Sequence, residues 1–373
     1  MKMIRSLILI SLIMPFFSCS NEEANLSQTP EKQWQFDPMN PVINNGDDII
    51  DIVTASDPCV LKDDDGYKLY YTCVGVTQEE IDAAAPLDPT PICRICVATS
   101  NDGITFTRHP NNPILDLSEN EWDSYALETP FVMKIGAEYW LYYNGKDTEY
   151  MQDVINGDKI TLGSIGLAIS NDGITFTRTA TNPIFEPSPL TDPSNYVGSW
   201  DSWVVEGPCI IEVGSEYWMY YGGAGSEVAG EMINSIGLAK SSDGMTWRKA
   251  PQNPIINEGN ASSWDRYHVI DPSVIKYNNR YMLWYHGGDI YFAADEEYSN
   301  FNIGVAYSVD GINWVKDSSN PVLKNNVLNW TSSGIMAPSV IEESDKFVMY
   351  FHGLNGTLST FTSWAIGRAT LSK

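Results

Sequence analysis

An acidic residue stands one or two positions before a proline at the start of four repeated segments of the chain. The motifs are Ser56-Asp57-Pro58, Glu128-Thr129-Pro130, Glu206-Gly207-Pro208 and Ile270-Asp271-Pro272. A fifth motif, Met336-Ala337-Pro338, has lost the acid. Paired carboxylic acids can do general acid and base work, because one protonates a leaving group while another activates water. These acids are therefore candidate catalytic groups, provided that the fold brings them together.

The five prolines are 64 to 78 residues apart, and similar segments follow each of them. In the third copy, an aromatic strand over Tyr217–Tyr221 precedes a third strand over Ile236–Ala239. That strand leads into a Ser-x-Asp-Gly turn, in which Asp-Gly supplies the positive φ of a hairpin. A fourth strand then runs through Trp247 to an Asn-Pro pair. Five copies of four antiparallel strands predict an all-β fold, a five-bladed β-propeller.

The two ends of the chain complement each other. The fifth copy stops after its third strand, which covers Trp364–Ala369. The segment Trp34–Val42 resembles the fourth strand of the other copies. We therefore expect the N-terminal strand to complete the last blade, which would remove an open sheet edge.

The N-terminal residues are typical of export. Residues 1–18 have a basic start and an apolar stretch, as in a signal peptide, and Cys19 follows a sequence that resembles a lipoprotein cleavage site. Plain cleavage with an unmodified Cys19 is the alternative. We expect residues 19–32 to form an acidic flexible linker and residues 33–373 to form the propeller domain. The predicted location is the cell envelope, on the outer membrane or cell surface, with the lipid as the sole membrane contact.

The remaining cysteines form no strong metal-binding or redox pattern. Cys93 and Cys96 are spaced like a ligand pair, but no second pair accompanies them. A disulfide between Cys73 and either Cys93 or Cys96 is possible, because these residues lie on neighbouring predicted strands. Cys59 and Cys209 follow equivalent prolines, which favours a packing role for both.

The charge of the chain excludes one class of partner. It contains 48 acidic and 22 basic residues, with a net charge of −26 and no basic stripe. A partner with a phosphate backbone, such as a nucleic acid, is therefore not expected. We expect a monomer.

Strand direction places the acid motifs at one end of the propeller, called here the mouth. The long loops between second and third strands lie at the same end, whereas the Ser-x-Asp-Gly turns lie at the other end and are scaffold. Loops and central openings are where propellers hold ligands. Candidate ligand-binding residues at the mouth are Asp271, Asn144, His268, His286 and His352. The repeated Trp-Asp pairs before the first strands are expected to pack.

The motifs resemble those of the five-bladed glycoside hydrolases of families 43, 32, 68, 117 and 130, over nearly all of residues 33–373. Asp57-Pro58 looks like the first-blade motif of family 43, whose Asp is the general base, and Glu206-Gly207-Pro208 is similar to the third-blade motif of the general acid. The family has an Asp-Pro in the second blade, where this chain has Glu128. The resemblance implies an inverting hydrolase of neutral oligo- or polysaccharides. It requires no cofactor, although a structural calcium or sodium ion near the axis is possible.

Three other functions are compatible with such a chain. A sialidase needs an arginine cluster for the substrate carboxylate, and Arg108, Arg178 and Arg248 follow turns at the wrong end, which leaves Arg94 and Arg266. A family 130-like phosphorylase needs arginine or lysine for phosphate. A surface glycan-binding lipoprotein needs aromatic platforms but no carboxylates. The sequence favours hydrolysis.

Overall fold

The structure is a computed structural model that describes residues 33–84, 90–119, 121–152, 159–227, 233–289, 301–355 and 363–373. The predicted signal peptide, Cys19 and the linker lie outside the described residues. Among the residues that are described, no helix is long and apolar enough to cross a membrane.

Regular structure is almost entirely β-strand and falls into repeat units of antiparallel strands. Unit 1 contains β2 (Thr54–Asp63), β3 (Gly66–Gly75), β4 (Ile92–Ser100) and β5 (Thr107–Arg108). Unit 2 contains β6 (Ala126–Ile135), β7 (Glu138–Gln152), β8 (Lys159–Ser170) and β9 (Thr177–Arg178). Unit 3 contains β10 (Val204–Val213), β11 (Glu216–Gly225), β12 (Ile233–Ser241) and β13 (Arg248–Lys249). Unit 4 contains β14 (His268–Tyr277), β15 (Arg280–Gly288), β16 (Asn302–Ser308) and β17 (Val315–Lys316).

Unit 5 takes its strands from both ends of the described chain. It contains β18 (Gly334–Glu342), β19 (Lys346–Asn355), β20 (Ser363–Ser372) and β1 (Gln35–Phe36). Its sheet order is β1-β20-β19-β18, and β1 pairs antiparallel with β20. The segment Trp34–Val42 thus lies where a fourth strand was expected.

The fourth strands are shorter than the sequence pattern indicates. Strand β5 has two residues, after which the chain rejoins β4 through a bridge between Leu115 and Ile95. In between, the Asn112 Oδ1 atom accepts a hydrogen bond from the Val97 amide at 2.9 Å, and the Asn112 Nδ2 atom donates to the Val97 carbonyl at 3.0 Å. A side chain therefore replaces part of the expected backbone ladder.

A short helix, α1 (Gln78–Ala84), lies between β3 and β4. The Thr77 hydroxyl accepts from the Glu80 amide, and the Glu80 carboxylate accepts from the Thr77 amide. This reciprocal pair is a capping box, which satisfies donors that the first helical turn leaves free. The same Glu80 carboxylate pairs with Arg94 of β4, so the helix is tied to its sheet.

The Ser-x-Asp-Gly turns are structural, as the sequence indicated. In unit 1, the Ser100 hydroxyl accepts from the amides of Asp102 and Gly103. The Asp102 carboxylate accepts from the amides of Ile104 and Thr105, and these bonds lower its pKa to about 2. The carboxylate is thus committed to shaping the turn.

Tyrosines on the second strands connect each of several units to the next. The hydroxyl of Tyr70 in unit 1 donates to the carbonyl of Gly173 in unit 2 at 2.9 Å. Equivalent bonds run from Tyr142 to Gly244, from Tyr220 to Gly311 and from Tyr350 to Gly103. The last bond joins unit 5 to unit 1. At the same position of unit 4, Trp284 instead meets Trp34 edge to face, with ring centroids 6.2 Å apart.

A second set of contacts between units lies closer to the axis. The Cys59 sulfur accepts from the Val132 amide at 3.2 Å, and Cys209 does the same for Val274. Ser273 accepts from Val340, and Ser339 accepts from Val60. Both cysteines are buried, so the expected packing role is confirmed and extended to hydrogen bonding.

One of the two disulfides that the sequence allowed is present. Cys73 of β3 is bonded to Cys96 of β4, with Cα atoms 5.9 Å apart. Cys93 is left as a free thiol. Facing strands of unit 1 are thus covalently joined below the mouth.

Ser339→Ala tests the contact between units 5 and 1. The substitution leaves the buried Val60 amide without its acceptor, and we expect a loss of about 1 to 3 kcal/mol in the free energy of unfolding. Urea titration would measure the loss. Ser273→Ala, between units 4 and 5, should cost a similar amount, whereas the exposed Ser344→Ala should cost little. A negligible effect of Ser339→Ala beside a clear effect of Ser273→Ala would show that units 5 and 1 are not held in this way.

Candidate active site

Each first strand contains one extra residue at its motif proline. Three steps along β10, from Glu206 to Cys209, match only two steps along β11, which is a β-bulge. The other first strands show the same register shift. The residue before each proline has left-handed backbone, with φ of 49° at Asp57, 48° at Thr129, 55° at Gly207, 52° at Asp271 and 46° at Ala337.

The bulges sort the acids into two kinds of position. Asp57 and Asp271 occupy the left-handed residue itself, whereas Glu128 and Glu206 precede it. Neighbouring residues of a regular strand point to opposite sides of the sheet. Acids at the two kinds of position can therefore converge only if the strand is irregular. The bulge provides this irregularity.

A cavity of about 260 Å³ lies between the first strands, along their common axis. Asp57 and Asp271 line it, together with the residues that follow the motif prolines. Glu128 and Glu206 are not among its lining residues, so only two of the four motif acids line this cavity. The side chains of Asp57, Asp271 and Glu128 are 17%, 15% and 24% exposed, which leaves each accessible to a ligand.

Asp57 is held in its ionised form. The His352 Nδ1 atom lies 3.2 Å from Asp57 Oδ1 and 3.1 Å from the Asp57 amide nitrogen. Burial alone would raise the pKa of Asp57, but hydrogen bonds from His352, Thr72 and Ser56 outweigh burial and hold the pKa below its ordinary value. A carboxylate at this place can accept a proton from water.

Glu206 has the opposite character. Loss of water around its carboxyl raises the pKa to about 8, and repulsion from Asp271, Glu128 and Asp57 acts in the same direction, although Lys146 opposes it. The carboxyl is therefore protonated at neutral pH. Acids and bases in an active site are recognised by this separation of pKa values between neighbouring groups.

Asp271 and His286 form a second pair of a carboxyl group and a histidine. Burial raises the pKa of Asp271 to about 7, with a further contribution from Asp57. Burial lowers the pKa of His286 to about 3. The His286 Nδ1 atom lies 3.1 Å from Asp271 Oδ2 and 3.5 Å from the Ala337 amide nitrogen.

Glu128 is bound to two residues that the sequence argument overlooked. Lys146 Nζ lies 2.5 Å from Glu128 Oε2. The thiol of Cys93 is hydrogen-bonded to the same carboxylate, while burial raises the pKa of that thiol above its ordinary value. Lys146 could have been found from the sequence, because it stands two positions after Asn144 and so shares its side of the strand.

Asn144 and His268 are more deeply enclosed than expected of substrate-binding residues. Asn144 is fully buried and donates to the Val205 carbonyl at 2.9 Å. His268 is 1% exposed, and its Nδ1 atom lies 3.2 Å from the side-chain nitrogen Nδ2 of Asn234. Both thus support the walls of the mouth, and any contact with a ligand would require movement.

Two curated proteins have sequences similar to parts of this chain. No family model matches the chain. A β-1,2-mannobiose phosphorylase of a Thermoanaerobacter species is 30% identical over 126 residues, which cover 32% of this chain and 37% of the phosphorylase. An uncharacterised protein of Mycobacterium tuberculosis is 24% identical over 247 residues, covering 65% of this chain and 73% of that protein.

Solved structures cover far more of the chain. A thermostable family 43 glycoside hydrolase has a TM-score of 0.61 at 17% identity and covers 84% of this chain and 88% of its own. A family 117 hydrolase of Zobellia galactanivorans has a TM-score of 0.59 at 17% identity, and the match covers 91% of this chain and 90% of the hydrolase. A family 130 structure comes from work on hydrolases of β-1,2-mannosidic linkages in Candida mannan. It has a TM-score of 0.63 at 14% identity, and the match covers 92% of this chain and 96% of its own. The chain has the fold of these glycoside hydrolases.

Within this glycoside hydrolase fold, four of the five arginines considered for a sialidase are engaged in ion pairs or hydrogen bonds. Arg94 is 3% exposed and pairs with Glu80 and Asp116. Arg108 pairs with a buried aspartate of unit 1, as Arg178 does in unit 2, and Arg266 donates to a main-chain carbonyl. The described residues therefore present no arginine cluster for a substrate carboxylate.

The Trp-Asp pairs have the packing role that the sequence indicated. Trp122 stacks on Tyr143 with ring centroids 5.8 Å apart, and the Tyr143 hydroxyl donates to Asp123 at 2.9 Å. Trp200 and Trp264 stack in the same way in the next two units. These tryptophans are consequently not available as sugar platforms.

The described residues contain no group of three or more His, Cys, Asp or Glu side chains that could hold a metal ion. Asp57 and Asp271, which line the axial cavity, are each already paired with a histidine. The structural ion therefore stays a sequence-based prediction without an assigned ligand set.

Gly207→Ala tests how tightly the acids are packed. A Cβ atom at Gly207 would lie 2.4 Å from Asp271 Oδ1, so the carboxyl of Asp271 must move. Gly214→Ala is a matched control, because its φ is also left-handed, at 66°, but its Cβ would meet nothing within 4 Å. Each substitution should carry the cost of about 1 to 2 kcal/mol for a left-handed residue, and Gly207→Ala should cost more. Equal losses in urea unfolding would contradict the close packing.

Proposed function

We propose that this protein is a glycoside hydrolase that cleaves neutral glycans by general acid and base catalysis. The observation that carries the proposal is the contrast between Glu206, whose pKa is about 8, and Asp57, whose pKa is depressed, within one cluster of acids. One group can donate a proton at neutral pH while the other can accept one. The repulsion between them indicates that both belong to the same site.

In the proposed reaction, the Glu206 carboxyl protonates the glycosidic oxygen as its bond to the anomeric carbon breaks. Asp57 removes a proton from a water molecule that attacks the same carbon from the opposite face. The products are an alcohol and a sugar with inverted anomeric configuration. Such a mechanism requires roughly 6.5 to 9.5 Å between the two carboxyl groups, so that the water fits.

The other candidate residues shape the site around this pair. Glu128 adds a fixed negative charge beside Glu206, and Asp271 lies directly against Gly207. His352 and His286 orient Asp57 and Asp271, respectively, from the ends of their strands. We propose that Asp271 also contacts the substrate, with Asn144 and His268 as supports.

We further propose that the scaffold is a closed five-bladed propeller. The first strands contact one another in the cyclic order β2, β6, β10, β14, β18 and β2 again. The bonds from Tyr350 to Gly103 and from Val60 to Ser339 support closure between units 5 and 1. Such closure would surround the acids with five walls.

Phosphorolysis is a second candidate, which the partial match to a mannobiose phosphorylase favours. Phosphate would need a cation, and Lys146 lies among the acids, but it is engaged by Glu128 at 2.5 Å. The surrounding carboxylates would also repel phosphate. Product release that requires inorganic phosphate would favour phosphorolysis, and phosphate-independent release would favour hydrolysis.

Asp57→Asn and Glu206→Gln should each lower turnover by at least about 100-fold, the low end of general acid and base contributions. The assay is a panel of nitrophenyl arabinosides, xylosides, fructosides, galactosides and mannosides, followed by polysaccharides. Wild-type activity should fall above pH 8 as Glu206 ionises, and NMR of the fresh product should show inversion.

A folding control is available for Glu206→Gln. The folded protein disfavours the ionised form of Glu206. The contribution of protonated Glu206 to the free energy of unfolding is therefore complete below the ordinary pKa of 4.5 and is lost as pH rises to about 8. Glu206→Gln should therefore be at least as stable as wild type at pH 8. Near-normal turnover in either variant would remove that residue from the mechanism, and binding without cleavage of any glycan would favour the glycan-binding alternative.

We also propose that Cys19 carries a lipid that anchors the protein to the cell envelope, in the outer membrane or at the surface. The support is the signal-like sequence of residues 1–18. Cys19→Ala should move the protein from the membrane fraction to the soluble fraction, measured by immunoblotting after fractionation. An unchanged distribution would refute lipidation at Cys19.

A further inference from the structure

Lys146 occupies a repeated position at which the other units carry apolar residues. The equivalent residues at the ends of the second strands are Val74, Ala224, Gly288 and Leu354. Each equivalent accepts a main-chain hydrogen bond through its carbonyl, as Lys146 does from Tyr125 at 2.9 Å. The scaffold therefore uses the backbone of this position in every unit and does not need a lysine side chain.

The side chain of Lys146 is directed toward acids. Its Nζ atom lies 2.5 Å from Glu128 Oε2, and only 16% of the side chain is exposed. Lys146 and Glu128 lie on adjacent antiparallel strands, where Lys146 pairs with Ala126, two residues before Glu128. A residue two positions away lies on the same face, so the contact follows directly from the register.

All charged groups of the cluster act on this cation or on its partners. Glu128 and Glu206 attract Lys146, and Cys93 of unit 1 faces it across Glu128. Asp57 and Asp271 contribute to the field at Glu206, while His352 acts on Asp271. Loss of water would favour neutral lysine, but attraction by Glu128 and Glu206 outweighs it and raises the pKa of Lys146.

We propose that Lys146 is a positioning residue of the reaction, which fixes the Glu128 carboxylate beside the acid Glu206 and offsets its negative charge. This inference rests on the proposed function. Lys146 itself touches no reacting atom in this scheme. Its ammonium group limits how strongly the neighbouring carboxylates repel one another, and it prevents Glu128 from turning toward the substrate.

Lys146→Met should raise the pKa of Glu206, because the nearest positive charge has been removed. The alkaline limb of the pH profile of kcat/KM should move upward by at least about one unit, the low end of shifts caused by a nearby opposite charge. We expect kcat at pH 7 to fall about 100-fold, as for misplaced catalytic groups. In Lys146→Arg, the alkaline limb of the kcat/KM profile should stay at its wild-type pH. The same holds for Lys249→Met, which breaks an ion pair with Asp201 outside the site.

A stability cycle tests the ion pair without relying on activity. Lys146→Met should lower the urea midpoint, and addition of Glu128→Gln should recover most of the loss, since the unpaired carboxylate is then removed. An unshifted alkaline limb in Lys146→Met, or strictly additive midpoint changes, would overturn the positioning role. If wild type cleaves no glycoside, the proposed function fails, while the cycle still reports whether Lys146 holds Glu128.

Discussion

The left-handed residue before each motif proline is the constraint on which the site depends. It introduces one extra residue into each first strand, so that acids at two neighbouring positions of the strand can belong to one cluster. Without the bulge, Asp57 and Glu206 would point apart. Gly207 adopts this conformation without a steric cost, whereas Asp57 and Asp271 are held there by surrounding contacts, as strained residues at functional sites are.

Contacts between units supply that support, and two of them also set the chemistry. The His352 Nδ1 atom lies within hydrogen-bonding distance of both the amide and the carboxylate of Asp57, so one imidazole joins unit 5 to unit 1 and contributes to the lowered pKa of Asp57. His286 stands at the equivalent position in unit 4, where burial lowers its pKa, and burial also raises the pKa of the neighbouring Asp271.

Periodicity made the strands predictable from the sequence, since each unit repeats its turn, its aromatic strand and its proline. The acids Asp57, Glu128, Glu206 and Asp271 were found for the same reason, and their closeness in the structure follows from strand direction. Lys146 was missed because it differs from its equivalents only in side chain, whereas the acids are marked by a neighbouring proline. The short fourth strands were missed because the Asn112 side chain replaces backbone pairing, which no propensity reveals.

The bonds that join the units at the bulge also bear on which changes of sequence the fold can tolerate. Asp57, Thr129, Gly207 and Ala337 each contribute a main-chain amide to these bonds. Because each donor is backbone, the bond does not depend on the donor's own side chain, although the Thr129 hydroxyl accepts the bond from Gly207. A change of side chain at Asp57 or Ala337 can therefore alter one unit without removing its contact with a neighbouring unit, which lets repeated units come to differ.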